Sequence, residues 1–364
     1  MIINNGISIE ERRTATNSKS LVDTKQITLS IQAEFLDSCA FNCAGCFVKR
    51  RNTYTDKELL DLKRFVQQFD NKYELNELVL SPTDMFGASN TIEIISNPLF
   101  ISLFQHFNAL TFNSTLLSEP SHIKSIMEFI RENYPQHIYY EMFVVLDIEK
   151  FLVRDKEYIE RLETNLNELS DVNIIFVYNI HSSEMFDNVD IPALSHEVNI
   201  RYNSHFRMNP SFFRTHKKSI ILNALNDWRT RLRLIYDDVN TKDMLFNMID
   251  PYFGSNTYIT LTAKNGNLYL NPYIYDNIFD NSETVLNPVE GMTVEKLSEL
   301  ITELQLEQFE YSKGLECDNC VLLSSCVGRN VLTFMQNQDI KECFLPKDIM
   351  LKANLMVDEN RINS

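Results

Sequence analysis

The chain has 364 residues, 44% hydrophobic and 23% charged, enough for a packed core in one large domain with an appendage or in two domains. Its net charge of −16 repels phosphate backbones, so nucleic acid is not an expected partner, while a cationic peptide or a small molecule is compatible with that charge. No run approaches the roughly 20 apolar residues of a membrane helix, and MIINNGISIEERRTATNSKS at the start lacks the apolar run of a secretory signal, so the expectation is a cytoplasmic protein that engages no membrane.

Residues 1–25 read as a polar tail. ITLSIQAEF then reads as a first strand, followed at once by a loop rich in cysteine. TYTDKELLDLKRFVQQF is an amphipathic helix, opened by Thr55 and Glu58 at the spacing of a capping box. LNELVLS and ALTFNSTLL are a second and a third strand, with the helix SHIKSIMEFIREN after them. IYYEMFVVLD is a fourth strand, EYIERLETNLNEL a helix, VNIIFVYNI a fifth strand, and EVNIRYNSHFRMNP (197–210) a sixth. Apolar strands alternating with helices predict a parallel sheet with helices outside, curled by right-handed crossovers toward a barrel. Six such units over residues 26–215 predict a partial α/β barrel, since a full one needs about 250 residues. The cysteine loop, coming directly after the first strand, lies at the strand ends where ligands of such folds bind.

Residues 216–255 read as a helical bridge, and 256–346 as a small C-terminal domain ahead of a tail at 347–364. Within that domain TYITLTAKNGNLYLNPYIY is a hairpin turning at Asn265 and Gly266, and TVEKLSELITELQLEQFEYS is an amphipathic helix feeding a second group of cysteines.

The seven cysteines fall into Cys39, Cys43 and Cys46 and, far downstream, Cys317, Cys320, Cys326 and Cys343. An odd number without an export signal argues against a disulfide framework. Three thiolates fall short of the four ligands of a structural zinc site, but they can hold three irons of a [4Fe–4S] cluster and leave the fourth open. A zinc loop borrowing a distant ligand, or buried structural cysteines, is the alternative. The four later cysteines can close a site completely, around zinc or a cluster.

Cys39-x3-Cys43-x2-Cys46 after the first strand of a β/α barrel resembles the signature of the radical S-adenosylmethionine (SAM) superfamily. The resemblance implies a cluster on these three cysteines, SAM chelated to the open iron, and reductive cleavage of SAM to a 5′-deoxyadenosyl radical that abstracts hydrogen from a substrate. It also implies SAM-binding positions. LSPTDMFG stands where the family carries a Gly-Gly-Glu turn for the SAM amino group, so Thr83 and Asp84 would supply the acceptors; a loop cap is the other role for Asp84. TFNSTLLS resembles the family's Thr-Asn-Gly-Thr-Leu-Leu stretch and nominates Asn113. VVLDIEKF resembles its Ser-Leu-Asp-Gly, with Val145 in place of the serine, and nominates Asp147. Asn179 at the end of the fifth strand, Arg207 with Asn209 at the end of the sixth, and Arg154 for the SAM carboxylate complete the set, against a solvated helix face for Arg154 and core packing for Arg207. Gly45 stands where an aromatic residue is common, with Phe47 just after, and both would approach the adenine. Lys49, Arg50 and Arg51 would dock an acidic flavodoxin or ferredoxin as electron donor, or simply be solvated.

Cys317-x2-Cys320-x5-Cys326 with Cys343 resembles the SPASM extension of sulfatase-maturating and peptide-modifying radical SAM enzymes, which holds two auxiliary clusters. The family's Gly-x4-Cys lands here on Gly266 and Asn271, and its x3 step after Cys326 lands on Asn330, so ligands of the first auxiliary cluster are missing while those of the second are complete. The resemblance therefore implies two [4Fe–4S] clusters in all, one binding SAM and one fully ligated by cysteine and suited to electron relay or structure. The space of the missing cluster would enlarge a substrate pocket, unless side chains such as Tyr269 and Tyr273 fill it. Family frequency points to a ribosomally made peptide as substrate, although 25 residues are too few for the leader-binding domain many such maturases carry. A dehydrogenase or epimerase of a small molecule such as an aminoglycoside-like sugar, and a non-catalytic metal-binding scaffold, are the other readings. The seven histidines show no metal-ligand spacing.

Overall fold

A computed structural model describes residues 28–37, 54–69, 74–81, 83–135, 138–180, 189–210, 230, 258–270, 285–288, 291–297 and 299. The tails 1–25 and 347–364, the helical bridge 216–255 apart from helical Thr230, and most of 256–346 lie outside those residues.

Strand β1 (Thr28–Glu34) is followed by helix α1 (Asp56–Phe69), strand β2 (Glu74–Ser81), and two short helices, α2 (Thr91–Ser96) and α3 (Pro98–Phe104). Next come β3 (Ala109–Ser114), α4 (Pro120–Asn133), β4 (Tyr139–Val145), α5 (Ile148–Leu152), α6 (Lys156–Asn167), β5 (Asn173–Ile180), α7 (Ile191–Tyr202) and β6 (His205–Pro210). Then β7 (Tyr258–Lys264), β8 (Asn267–Leu270) and β9 (Val285–Pro288) close the described sheet.

Local signals place these elements. Thr55 and Glu58 form the expected reciprocal cap of α1: the Thr55 N–H donates to Glu58 Oε2 at 2.6 Å and the Glu58 N–H to Thr55 Oγ1 at 3.2 Å. Leu59, Leu62, Phe65 and Val66 then bury one face of the helix, each contributing about 1.5–3 kcal/mol. Helix α4 starts at Pro120 and buries Ile123, Ile126, Met127 and Ile130 at helical spacing. The expected strand over 197–210 needs correction: residues 197–202 finish α7, and the strand begins only at His205. Ile191, Leu194 and Val198 recur at helical spacing, Asp190 caps by accepting from the Ala193 N–H at 3.0 Å, and Asn203 ends the helix in the left-handed region at φ 49°.

The sheet runs β6-β5-β4-β3-β2-β1-β7-β8-β9. The first seven strands in that order are mutually parallel, and β7, β8 and β9 pair antiparallel. Six parallel strands in chain order, with helices between them, make the expected partial barrel. The expected hairpin at Asn265 and Gly266 is present, both residues having positive φ (50° and 73°) as a two-residue turn requires. The sequence did not show that its first strand also joins β1 in parallel, extending the sheet to nine strands.

Alternation along each strand divides the sheet into unlike faces. Leu29, Ile31 and Ala33 continue through Leu78 and Leu80, Leu110 and Phe112, Met142 and Val144, Phe176 and Phe206, all buried in one core with the helices. The residues between them are largely polar. On that second face Thr111 Oγ1 donates to Glu77 Oε2 at 2.6 Å, Asn173 Nδ2 donates to Glu141 Oε2 at 2.8 Å, and Lys264 Nζ lies 3.9 Å from Glu34 Oε2. One side of the sheet is therefore the hydrophobic core, and the other is a polar wall.

Candidate functional site

The carboxyl ends of β1, β2 and β3 meet in a hydrogen-bonded shelf. Residues 35–37, the stem from which the cysteine loop departs, are fixed on one side of it. The Leu36 N–H donates to the Ser81 carbonyl at 3.0 Å, and the Asp37 N–H to Asn90 Oδ1 at 3.0 Å. In return Asn90 Nδ2 donates to the Phe35 carbonyl at 2.9 Å, and the Ser89 N–H to Asp37 Oδ1 at 3.0 Å. The Ser89 hydroxyl also donates to Asp37 Oδ2.

Asp84 is the centre of the shelf. Its Oδ1 accepts from the N–H groups of Phe86 at 2.9 Å and Gly87 at 3.0 Å, and its Oδ2 from the N–H of Thr115 and from Thr115 Oγ1 at 2.8 Å; Ser114 Oγ lies 3.2 Å away. The Met85 N–H donates to the Asn113 carbonyl at 2.9 Å, so the turn after β2 is tied to the turn after β3 by backbone as well as side chain. Burial pushes the Asp84 carboxyl above its ordinary range, and the Thr115, Phe86 and Ser114 donors oppose that shift without cancelling it. Leu116 is held at φ 55°, an unfavourable value for a leucine. Its N–H donates to Ser114 Oγ at 2.9 Å, and its carbonyl and that of Ser118 accept from Asn165 Nδ2 of α6 at 2.7 and 2.9 Å.

Two hydroxyls at the end of β2 stand apart. Ser81 is 1% exposed and Thr83 4%, and neither Ser81 Oγ nor Thr83 Oγ1 has a hydrogen-bond partner among the described residues. Tyr202 and Thr262 carry two further such hydroxyls elsewhere; what distinguishes Ser81 and Thr83 is their place at the end of β2, where a bound polar group could satisfy them.

The other expected positions distribute as follows. Asn113 lies on the polar wall at the top of β3, next to Phe143 in register. Asn179 on β5 pairs in register with Asn209 on β6, and Arg207 with Val177. Asp147 caps α5, accepting from the Lys150 N–H at 3.2 Å, while its own N–H donates to the Tyr158 hydroxyl at 3.1 Å. Arg154, exposed between α5 and α6, ion-pairs with Glu197 of α7 at 3.0 Å. Cys39, Gly45, Cys43, Cys46, Phe47, the basic run Lys49 to Arg51, and Cys317, Cys320, Cys326 and Cys343 lie outside the described residues, as do Asn271, Tyr273 and Asn330; the side chain of Tyr269 is likewise not described. Among the described residues no cluster of three or more metal-ligating side chains occurs and no helix is long and apolar enough to cross a membrane.

Sequence reading did not find Asp37, Ser81, Ser89, Asn90 or Asn165. The polar run GASNT announces a turn, but nothing in it names partners more than 50 residues away.

No protein-family model matches the chain, and no curated protein matches it in sequence. Solved structures do match in fold. The enzyme anSMEcpe with bound AdoMet and the Kp18Cys peptide superposes with a TM-score of 0.55 at 12% identity, over 90% of this chain and 99% of that one. A histidine-tagged form of anSMEcpe with bound AdoMet gives 0.53 at 13% identity, over 83% and 88%. SuiB of Streptococcus suis bound to S-adenosylmethionine gives 0.50 at 16%, over 85% and 75%. The chain shares the fold of these AdoMet-bound structures. The open parallel sheet expected from the strand pattern is that fold's partial barrel, and the shelf lies at its strand tops and includes residues 35–37, from which the chain continues into the three-cysteine stretch.

Proposed function

We propose that this protein is a radical SAM enzyme that modifies a peptide at an unactivated carbon. One observation supports the reading: the chain continues from β1 into the three-cysteine stretch at the carboxyl edge of a sheet that shares its fold with AdoMet-bound enzymes, beside two buried hydroxyls that have no partner among the described residues. The stem at Asp37 places Cys39 two residues away, so its Cα is within about 7.6 Å of the Asp37 Cα.

Cys39, Cys43 and Cys46 hold a [4Fe–4S] cluster, and Cys317, Cys320, Cys326 and Cys343 a second, auxiliary one. With SAM bound, the first cluster supplies a one-electron cleavage of the sulfonium and hence a hydrogen-abstracting carbon radical. The chain's own residues bind and orient. Thr83 Oγ1 and Ser81 Oγ accept from the SAM ammonium, which would satisfy both orphaned hydroxyls. The Asp84 carboxyl already accepts from donors of the shelf, so it holds the two turns in place and is not a direct acceptor for the ammonium. Asn113, Asp147, Asn179 and Arg207 follow the strand tops around the same rim and contact the rest of SAM, with Gly45 and Phe47 against the adenine. The anSMEcpe structure with a bound peptide supports a peptide substrate. A flavodoxin or ferredoxin meeting Lys49, Arg50 and Arg51 recharges the cluster.

The test is anaerobic reconstitution followed by reduction with dithionite in the presence of SAM. We expect about eight irons per chain, from two four-iron clusters, and release of 5′-deoxyadenosine, which Cys39→Ala abolishes. Bound zinc with no SAM cleavage would overturn the reading. Candidate peptides deuterated at side-chain carbons should pass deuterium into the deoxyadenosine; transfer only from a small sugar would replace the peptide by a small-molecule substrate.

A further inference from the structure

We infer that Asp37, Ser89 and Asn90 are positioning residues for the cysteine loop: a clasp that fixes where Cys39 is presented and so how firmly the cluster is held. The inference rests on the reading that Cys39 is a cluster ligand. It adds three residues that neither touch SAM nor ligate iron.

The clasp is more than a tie between neighbouring loops. It takes polar groups of all three stem residues in defined directions. The Phe35 carbonyl accepts from Asn90 Nδ2 at 2.9 Å, the Leu36 N–H donates to the Ser81 carbonyl at 3.0 Å, and the Asp37 N–H donates to Asn90 Oδ1 at 3.0 Å. The Asp37 carboxylate accepts from Ser89 through both its N–H, at 3.0 Å, and its hydroxyl. The Asn90 amide thus bridges two stem residues with its oxygen and its nitrogen at once, an arrangement that admits one orientation of the side chain and one of the stem. Asn90 is 5% exposed, so its removal leaves buried groups of the stem without their partner.

Behind it the clasp is braced. Thr91 Oγ1 donates to the Met85 carbonyl, the Ile94 N–H to the Asn90 carbonyl at 3.0 Å, and Asp84 holds the turn that precedes Ser89. The stem is therefore referred to the same rigid shelf as the orphaned hydroxyls of β2. The clasp thereby fixes the point from which the chain continues to Cys39. Outer partners of metal ligands typically change metal affinity 10–100-fold when lost, and a site held about 1 Å too loosely is the common result of an unsupported shell.

Asp37→Ala, Asn90→Ala and Ser89→Thr are compared with the wild-type chain, each reconstituted anaerobically. The readouts are the rate at which an iron chelator strips the cluster absorbance, and the electron paramagnetic resonance signal of the reduced cluster without SAM. Tyr134→Phe serves as a control for stability: the Tyr134 hydroxyl donates to the Ile95 carbonyl of α2 at 2.9 Å and makes none of the stem's hydrogen bonds, so its loss weakens the fold and leaves those bonds in place. We expect the alanine variants to lose cluster about 10-fold faster than wild type, with a broadened or shifted signal. Ser89→Thr, which keeps the hydroxyl, and Tyr134→Phe should behave as wild type. Cluster loss at the wild-type rate in both alanine variants overturns the clasp, as does equally fast loss in Tyr134→Phe, which would tie retention to global stability. A wild-type chain that takes up no four-iron cluster overturns instead the reading on which the clasp rests, and the clasp with it.

Discussion

The shelf over β1, β2 and β3 and the outer layer formed by α5, α6 and α7 are both rich in polar contacts, but they are built on opposite terms. In the shelf, Asp84, Asn90, Thr91 and Asn165 are buried, and each meets backbone groups of a turn or strand end. In the outer layer Arg154 meets Glu197, Arg201 meets Glu163, and Lys156 lies 3.7 Å from Glu160, all in contact with water. A buried polar group that loses its partner bears the full desolvation penalty, whereas an exposed ion pair exchanges its partner for solvent at almost no cost. Polar groups that depend on their partners are therefore concentrated where β1, β2 and β3 end.

The sharpest way to break this contrast is Asp84→Ala. It takes the side-chain acceptor from the N–H groups of Phe86, Gly87 and Thr115, and of these Gly87 alone keeps a second one, the backbone carbonyl of residue 84 at 3.1 Å. A loss of about 3 kcal/mol or more is expected, read as a fall in the urea midpoint with an unchanged slope. Next comes Asn165→Ala, which strands the carbonyls of Leu116 and Ser118 and removes the support of a leucine held at positive φ. About 2 kcal/mol is expected there, by the same measurement.

The Asp84 carboxyl also gives the shelf a pH signature. Its folded pKa is raised, chiefly by burial, so the native state holds a proton that the unfolded chain has already released. Between the ordinary aspartate value near about 4 and the raised one, the native state binds more protons. Stability therefore falls as pH rises through that window and levels off above it. Thermal unfolding across the window should show this decline in the wild-type chain and its absence in Asp84→Asn.

The same contrast explains what was legible in the sequence. Strand and helix periodicity is local, so β1 to β5, the α1 capping box and the Asn265–Gly266 turn could be read directly, and the three-cysteine spacing after the first strand led to the right fold. The sixth strand was overextended because Val198, Ile200 and Tyr202 alternate as in a strand, although the Asp190–Pro192 start and the spacing of Ile191, Leu194 and Val198 mark a helix. The parallel pairing of β7 with β1 joins Thr28 to Tyr258, and no local pattern encodes it. The shelf was invisible for the same reason. Asp84 was seen as either a SAM acceptor or a loop cap, but its donors come from two turns that only the fold brings together. Asn90 and Asn165 are ordinary polar residues until the chain closes around them.

The smallest effect belongs to Arg154, where the two regions make different demands. Its resemblance-based role was to reach the SAM carboxylate; in the fold its guanidinium is two-thirds exposed and lies 3.0 Å from Glu197 Oε1. Arg154 itself stands at φ 53°, a turn geometry that its side chain does nothing to stabilise. Glu197 also lies 3.8 Å from Arg201, so removal of Arg154 leaves that carboxylate a second cation. Arg154→Ala should therefore change stability by no more than about 0.5 kcal/mol and leave the KM for SAM in deoxyadenosine release where it is. A KM raised several-fold with unchanged stability would instead put the guanidinium at the SAM carboxylate, and would mean that α5 and its turn belong with the rigid strand tops and not with the solvated rim.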